Sequence, residues 1–252
     1  VVGGQIHVHF GWQANFAVIA LVSVALFIST WINVPVDTPR ESTPSHWLRE
    51  MLDSYAHLIR VREFLPYVGI LALSTGTFYV YLAGAPSVLA VYGVGPATIG
   101  FYIMVVPLSY IAGSYLTSQL IKSYGDAELM LIGHLVSLSS IGIVLTLALI
   151  EVRSPLAVAA PLVLLGIGQG LLMPSTLAGT VGVIPALAGA AAGVSGLAQQ
   201  LAGAVGGYAI GLFHHDGATK LALLMLLFMS SAFLCQILLR RIQKIDNAIV
   251  GT

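Results

Sequence analysis

Long apolar runs separated by short polar connections dominate the chain. A helix needs about 20 mostly apolar residues to cross the hydrocarbon core of a membrane. Seven runs reach that length, at residues 15–34, 64–86, 98–121, 129–150, 155–184, 186–213 and 218–239. The pattern therefore predicts an all-α membrane protein in which seven helices span the bilayer.

The one long connection, residues 35–63, has an amphipathic pattern. Thr43 followed by Pro44 predicts the start of a helix. Apolar side chains then recur every four residues, at Trp47, Met51, Tyr55 and Ile59. Such a stripe predicts a helix that lies on the membrane surface or packs against the other helices. We interpret it as a linker helix without a regulatory role.

The composition agrees with a membrane protein. Hydrophobic residues make up 58% of the chain and charged residues 8%, whereas about a quarter of the residues in a soluble domain are charged. The ten basic residues balance the ten acidic ones, so net charge does not indicate a nucleic-acid partner. Cys235 is the single cysteine, which excludes a disulfide framework within the chain. We predict no metal ion and no cofactor.

The basic residues are distributed unequally between the two sides that alternating helices define. One side has only Arg153 and Lys220. The other side has Arg40, Arg49, Arg60, Arg62, Lys122, Arg240, Arg241 and Lys244. Because basic residues are enriched in cytoplasmic segments, we expect the loop at 35–63 and the C-terminus to be cytoplasmic.

Several short motifs resemble those of the major facilitator superfamily, in particular the bicyclomycin-resistance (Bcr/CflA) type of drug:proton antiporter. Near the start these are Gly3-Gly4 and Phe10-Gly11-Trp12, and at the end of the second apolar run Tyr81-Leu82-Ala83-Gly84-Ala85-Pro86. Further along they are Gly166-Ile167-Gly168, Pro174, and the series Pro185, Gly189, Gly193, Gly196, Gln199 and Gly203. The loop at residues 122–128 departs from the family, because it has one basic residue where several are usual.

The resemblance implies a helical bundle made of two six-helix halves around a cavity that opens alternately to each side. Residues 1–34 would be the end of helix five and helix six of the N-terminal half. Residues 35–63 would be the central loop, and residues 64–252 the C-terminal six-helix half. The chain would then be part of a longer inner-membrane transporter, and the remainder of the N-terminal half would be its partner.

Candidate substrate-binding residues lie on the polar faces of the predicted helices. Aromatic rings with scattered hydroxyl groups suit a flat, lipophilic, drug-like molecule, and methionine adapts to varied ligands. The candidates are Ser74, Phe78, Tyr81, Tyr102, Gln169, Met173 and Gln199. Helix packing or an interfacial tyrosine belt could account for the tyrosines, and packing could account for Gln199.

Small residues predict a close contact between helices in the sixth apolar run. They recur at spacings that place them on one helix face, at Gly189, Gly193, Gly196, Gly203 and Gly207. Such a stripe allows two helices to approach closely and to slide. His134, about one turn inside its run, is interpreted as a packed or interfacial histidine and not as a proton carrier.

The resemblance implies a proton-coupled multidrug effluxer that works by alternating access. The alternative is a transporter of a small metabolite, such as a sugar or an organic acid. An intramembrane enzyme is less favoured, and no catalytic residue is predicted. Between residues 64 and 239 the acidic residues are all in or beside loops, at Asp126, Glu128, Glu151 and Asp216. Solvated carboxylates titrate near pH 4, so we expect the coupling group to lie upstream of Val1.

Overall fold

The computed structural model describes residue 6 and residues 10–33, 47–213 and 217–250. These residues form helices and contain no strand, which confirms the all-α prediction. The helices are α1 (Trp12–Asn33), α2 (Trp47–Arg60), α3 (Phe64–Val91), α4 (Pro96–Tyr124), α5 (Asp126–Leu149), α6 (Pro155–Gly182), α7 (Ala188–Gly211) and α8 (Thr219–Val250). A short 3₁₀ turn, Pro185–Leu187, precedes α7.

Six of the described helices are long and apolar enough to cross a membrane: α1, α3, α4, α5, α6 and the part of α8 at Thr219–Asp246. They indicate a multi-pass membrane protein. Helix α7 forms where the seventh span was predicted and has 24 residues, but it does not meet the same hydropathy criterion. Its many glycines and the adjacent Gln199 and Gln200 lower its hydropathy. Six of the predicted spans are therefore supported by length and hydropathy, and the seventh, at α7, stays a prediction.

The chain divides into two compact units, residues 1–50 and residues 51–252. In the first unit, aromatic side chains one turn apart pack along α1. The rings of Trp12 and Phe16 make an edge contact at 5.8 Å between centroids, and those of Phe27 and Trp31 are also 5.8 Å apart. The second unit is a helical bundle that contains the residues discussed below.

The predicted linker helix is present as α2, and its packing differs from the predicted stripe. Leu58 is fully buried in a cluster with Phe64, Val68 and Ala191. Met51 and Ile59, which belong to the stripe, remain 38% and 51% exposed. Leu58, beside the stripe, thus makes the buried contact with the bundle, and a position of the exposed stripe residues at the membrane surface stays a prediction. The predicted helix start at 43–44 lies outside the described residues.

Helices α3 and α6 are the two central members of the bundle. Helix α3 packs chiefly against α7 and α8, whereas α6 packs chiefly against α4 and α5. Helices α5 and α8 also contact each other, but α3 and α4 touch little. The bundle therefore has a gap between α3 and α4, and α6 lies behind it.

Two glycines with positive φ allow tight turns between long helices. At the end of α3, Gly93 has φ 82°, and the amide of Val94 donates to the carbonyl of Leu89 at 3.0 Å. This is a Schellman ending, in which the left-handed residue is usually glycine. Gly125, with φ 76°, is the only residue between α4 and α5. These turns set the antiparallel order of neighbouring helices.

Candidate functional site

A cavity of about 360 Å³ occupies the gap between α3, α4 and α6. It falls within the size range of small-molecule sites in proteins. Its lining residues are Thr75 and Phe78 of α3, Val106, Pro107, Tyr110 and Ile111 of α4, and Gln169 and Met173 of α6. Among the described residues, none that lines the cavity is charged. The cavity therefore suits an uncharged or weakly polar surface with aromatic groups.

The gap exists because α4 packs closely on α6 and not on α3. A Cβ atom added to Gly113 of α4 would lie only 2.9 Å from the Cα atom of Ile167. A Cβ atom added to Gly170 of α6 would lie 2.6 Å from the backbone nitrogen of Ser114. No other residue type permits this separation without a shift, since real Cβ contacts are longer. Glycine on both helices thus holds α4 against α6.

The opposite side of α6 makes a second close contact, with α5. A Cβ atom added to Gly133 would lie 2.6 Å from the carbonyl oxygen of Gly168, and one added to Gly168 would lie 2.6 Å from that of Gly133. Sequence reasoning treated Gly168 only as part of a family motif and did not predict this contact. The signal was present in the alternation Gly166-x-Gly168-x-Gly170. Together these contacts define the glycine seam of α6, formed by Gly166, Gly168 and Gly170.

Three of the predicted substrate-binding residues line the cavity together: Phe78, Gln169 and Met173. Gln169 is buried, and its Nε2 donates to the backbone carbonyl of Ser74 at 3.1 Å. The Ser74 side chain is itself fully buried and does not line the cavity. Ser74 therefore contributes to the site through its carbonyl group, which orients Gln169.

The two predicted tyrosines lie outside the cavity lining. Tyr81 is buried in the main core, and its hydroxyl donates to the carbonyl of Tyr102 at 3.3 Å. Tyr102 is partly buried and does not line the cavity. This contact links α3 to α4 beyond the cavity, so in this conformation both residues serve packing. The prediction that Tyr102 shares a cleft with Phe78 and Gln169 does not match the cavity.

Gln199 adjoins the cavity through Thr75 without lining it. The Thr75 hydroxyl donates to Oε1 of Gln199 at 3.0 Å, and Nε2 of Gln199 donates to the carbonyl of Ser195 at 3.3 Å. The neighbouring Gln200 is exposed, and its Oε1 accepts from the Tyr79 hydroxyl at 3.4 Å. The predicted candidate Gln199 is therefore linked to the cavity through the single contact with Thr75.

The predicted glycine stripe of α7 has two parts. Gly203 packs against the Tyr79 ring of α3, where an added Cβ would be 2.7 Å from a ring carbon, and Gly207 lies opposite Ala83 at an ordinary distance of 3.9 Å. The N-terminal part of the stripe has open space beside each Cα in the described part of the chain, at Gly189, Gly193 and Gly196. The neighbouring helix that was predicted to contact this part of the stripe is thus not among the described helices.

Several cavity residues were not predicted from the sequence. Thr75 follows Ser74 directly but lies on a different helix face, and Pro107 lies inside α4. Tyr110 and Ile111 are one turn after Val106 and Pro107, so all four share one face of α4. The polar residue Ser109 lies outside this face. In the structure Ser109 is buried and donates to the carbonyls of Val105 and Val106.

A second group of buried polar side chains joins α5 to α8, away from the cavity. His134 is fully buried, and its ring lies 5.7 Å from that of Phe233. In the orientation that its surroundings favour, the Gln236 amide nitrogen donates to Nδ1 of His134 and its oxygen accepts from the Leu131 amide at 2.9 Å. One turn later, Arg240 donates to the carbonyl of Ala127. This environment is that of a packed histidine, the interpretation preferred from the sequence.

Comparisons with known proteins agree with this architecture. The sequence model of the Major Facilitator Superfamily matches residues 1–207. The bicyclomycin resistance protein homolog of Haemophilus influenzae is 24% identical over 224 residues, which cover 88% of this chain and 56% of that relative. The chain thus spans a little more than half the length of the relative that it matches. Because the family match extends over most of the chain and the described residues form a bundle of long apolar helices, the protein belongs to the Major Facilitator Superfamily.

Proposed function

We propose that this chain is part of a secondary active transporter that expels small lipophilic, drug-like molecules. The observation that carries the proposal is the cavity between α3, α4 and α6. Its wall combines the aromatic rings of Phe78 and Tyr110 with the flexible side chain of Met173. Such a wall offers a large contact area without fixed charges, which suits varied lipophilic ligands.

The metabolite alternative is less well supported by the same cavity. A carrier of an organic acid would need a basic side chain to offset the negative charge of its substrate. No lysine or arginine is among the described residues that line the cavity. The Haemophilus influenzae relative is named for resistance to bicyclomycin. This name supports the proposal that the substrate of the present transporter is a drug.

The proposal includes the division of the chain and its orientation. Residues 1–34 would complete the N-terminal half, residues 35–63 would be the cytoplasmic central loop, and residues 64–252 would form the C-terminal half. The C-terminus would also be cytoplasmic, in the inner membrane. Proton coupling would depend on an acidic residue upstream of Val1, and alternating access would need the partner half.

A resistance assay on the full-length transporter tests the proposal. Phe78→Ala removes an aromatic wall of the cavity, and we expect resistance to a lipophilic drug that the wild type exports to fall several-fold. Tyr208→Ala is the matched control, because Tyr208 is 72% exposed on α7 and does not line the cavity. Both variants should reach the membrane in wild-type amounts.

Two results would contradict the proposal. One is resistance that Phe78→Ala leaves at the wild-type level. The other is a loss of resistance that only matches a loss of protein from the membrane, because Phe78 would then be a packing residue.

A further inference from the structure

Gln169 and Thr75, which line the cavity, each have a hydrogen-bond acceptor that no neighbouring group uses. Gln169 donates through Nε2 to the carbonyl of Ser74. A backbone carbonyl can only accept, so the orientation of the amide is set. One N–H of Nε2 is used by Ser74, and Oε1 and the second N–H remain for a ligand. Oε1 makes no hydrogen bond within the described part of the chain.

The hydroxyl hydrogen of Thr75 is also used by a neighbouring group. The carbonyl of Ser195 accepts from Nε2 of Gln199, which leaves Oε1 of Gln199 to accept from the Thr75 hydroxyl. A threonine hydroxyl has one hydrogen, so Thr75 has only lone pairs left for a ligand. Gln199 is therefore a positioning residue that sets the direction of the Thr75 hydroxyl.

Two lining groups can still donate. They are the second N–H of the Gln169 amide and the Tyr110 hydroxyl. Pro107, which also lines the cavity, has no amide hydrogen to offer.

From these contacts we infer that the cavity selects aromatic or lipophilic molecules that carry an N–H or O–H donor, and that it excludes carboxylates. The inference rests on the proposal that this cavity is the drug-binding site. A ligand donor meets Oε1 of Gln169 and the lone pairs of Thr75, while its rings contact Phe78 and Tyr110. A carboxylate would be repelled by these lone pairs, and the described lining residues include no cation to offset the loss of its hydration.

Equilibrium binding of three matched probes to the purified 252-residue chain tests the inference. The probes are 2-naphthol, which has a donor, its methyl ether, which has none, and 2-naphthoate, which is an anion. We expect the wild-type chain to bind 2-naphthol about five- to tenfold more tightly than the ether, as one net hydrogen bond predicts. Binding of 2-naphthoate should be weaker still. The variant Met173→Trp fills the cavity with a larger side chain. Any probe that still associates with this variant is therefore bound by the detergent and not by the cavity.

Variants of the two acceptors should remove the preference for the donor. Gln169→Leu and Thr75→Val each delete one acceptor, so we expect the affinity ratio of naphthol to ether to fall in each variant and to approach one when the two changes are combined. Gln200→Leu is the matched control, because Gln200 is an exposed glutamine outside the cavity lining, and it should keep the wild-type ratio.

The possible results separate this inference from the proposed function. Equal binding of naphthol and ether to the wild-type chain would overturn the inference, whether or not the variants fold. So would a preference that persists when Gln169→Leu and Thr75→Val are combined. If the donor preference is present but the full-length protein exports no drug, the proposed function fails and the ligand selectivity stands. Drug export without a preference for naphthol over its ether would overturn the inferred ligand selectivity and leave the proposed function standing.

Discussion

At the scale of single residues, glycine determines how closely helices α4 and α6 approach each other. Gly113 and Gly142 are both inside helices of the same bundle, but their surroundings differ. An added Cβ at Gly113 would collide with the backbone of Ile167, whereas no atom lies within 4 Å of one added at Gly142. Comparing a substitution at Gly113 with the same substitution at Gly142 therefore separates the effect of steric contact from the general effect of replacing glycine in a helix.

We expect Gly113→Ala to destabilise the bundle and Gly142→Ala to leave it unchanged or slightly more stable. Overpacking of this kind costs about 1–3 kcal/mol, which corresponds to a fall of roughly 5 °C in melting temperature. Labelling of the single, partly buried Cys235 by a thiol-reactive dye during heating gives that temperature. Equal melting of the two variants would show that α4 and α6 can separate without loss.

Helical phase was enough to find some cavity residues and not others. It placed Phe78 on the correct face of α3, and Gln169 and Met173 on the correct face of α6. Helical phase failed for α4. The helical period shows which residues share a face, but it does not show which face packs against another helix. There the glycine contact of Gly113 turns Ser109 toward α6 and leaves Tyr110 at the cavity.

At the scale of helices, α5 and α8 are joined by side chains that bond to the backbone. Gln236 is 1% exposed and bonds to Leu131 and His134, while Arg240 bonds to Ala127. Hydrogen bonds in an apolar surrounding are costly to leave unmade. The pair therefore fixes the position of α8 along α5.

We expect Gln236→Leu to weaken the contact between α5 and α8, because it leaves buried polar groups without partners. The cost should be about 1–3 kcal/mol. The measurement is the fraction of protein that stays monodisperse on size-exclusion chromatography after heating. Gln200→Leu changes an exposed glutamine and should behave as wild type. If the two variants lose protein at the same temperature, the Gln236 bonds contribute nothing to stability.

Helix ends were harder to predict than helix positions, for two physical reasons. The expected end of α3 at Pro86 is wrong, since the helix continues to Val91. A proline removes one backbone bond, and neighbouring helices in a bundle compensate for it. The expected end of α8 at residue 239 is also wrong, because α8 continues to Val250. An apolar run marks the hydrocarbon core, and a helix can extend beyond it into water.

At the scale of the whole molecule, the order of the helices followed from hydropathy, whereas their contacts did not. Each apolar run predicted one helix, because every backbone group in a bilayer must bond within the structure. Which helices touch depends on small residues distributed over the chain, such as the glycine seam of α6. The open space beside Gly189, Gly193 and Gly196 is consistent with a further partner for this face.

We expect that the 252-residue chain alone does not couple drug movement to protons. Alternating access needs two bodies that move against each other, and the proposed partner half lies outside the chain. The test is reconstitution in proteoliposomes with an imposed pH gradient. Proton flux should be the same with and without drug, and equal to that of empty vesicles. Drug-dependent proton flux would contradict the prediction, and it would place a coupling group among residues such as His134 or Asp126.

The glycine seam of α6 also has a consequence for how the specificity of the proposed drug site can evolve. Gly166, Gly168 and Gly170 meet backbone or side-chain atoms of neighbouring helices, so an added side chain at any of these positions would force a neighbour to shift. Gln169, between two of them, and Met173, one turn later, face the cavity and carry no such restriction. If the cavity binds drugs as proposed, heritable changes of drug preference within α6 should therefore occur mainly at Gln169 and Met173. When independent bacterial populations are selected on new drugs, substitutions in α6 should recur at these two positions.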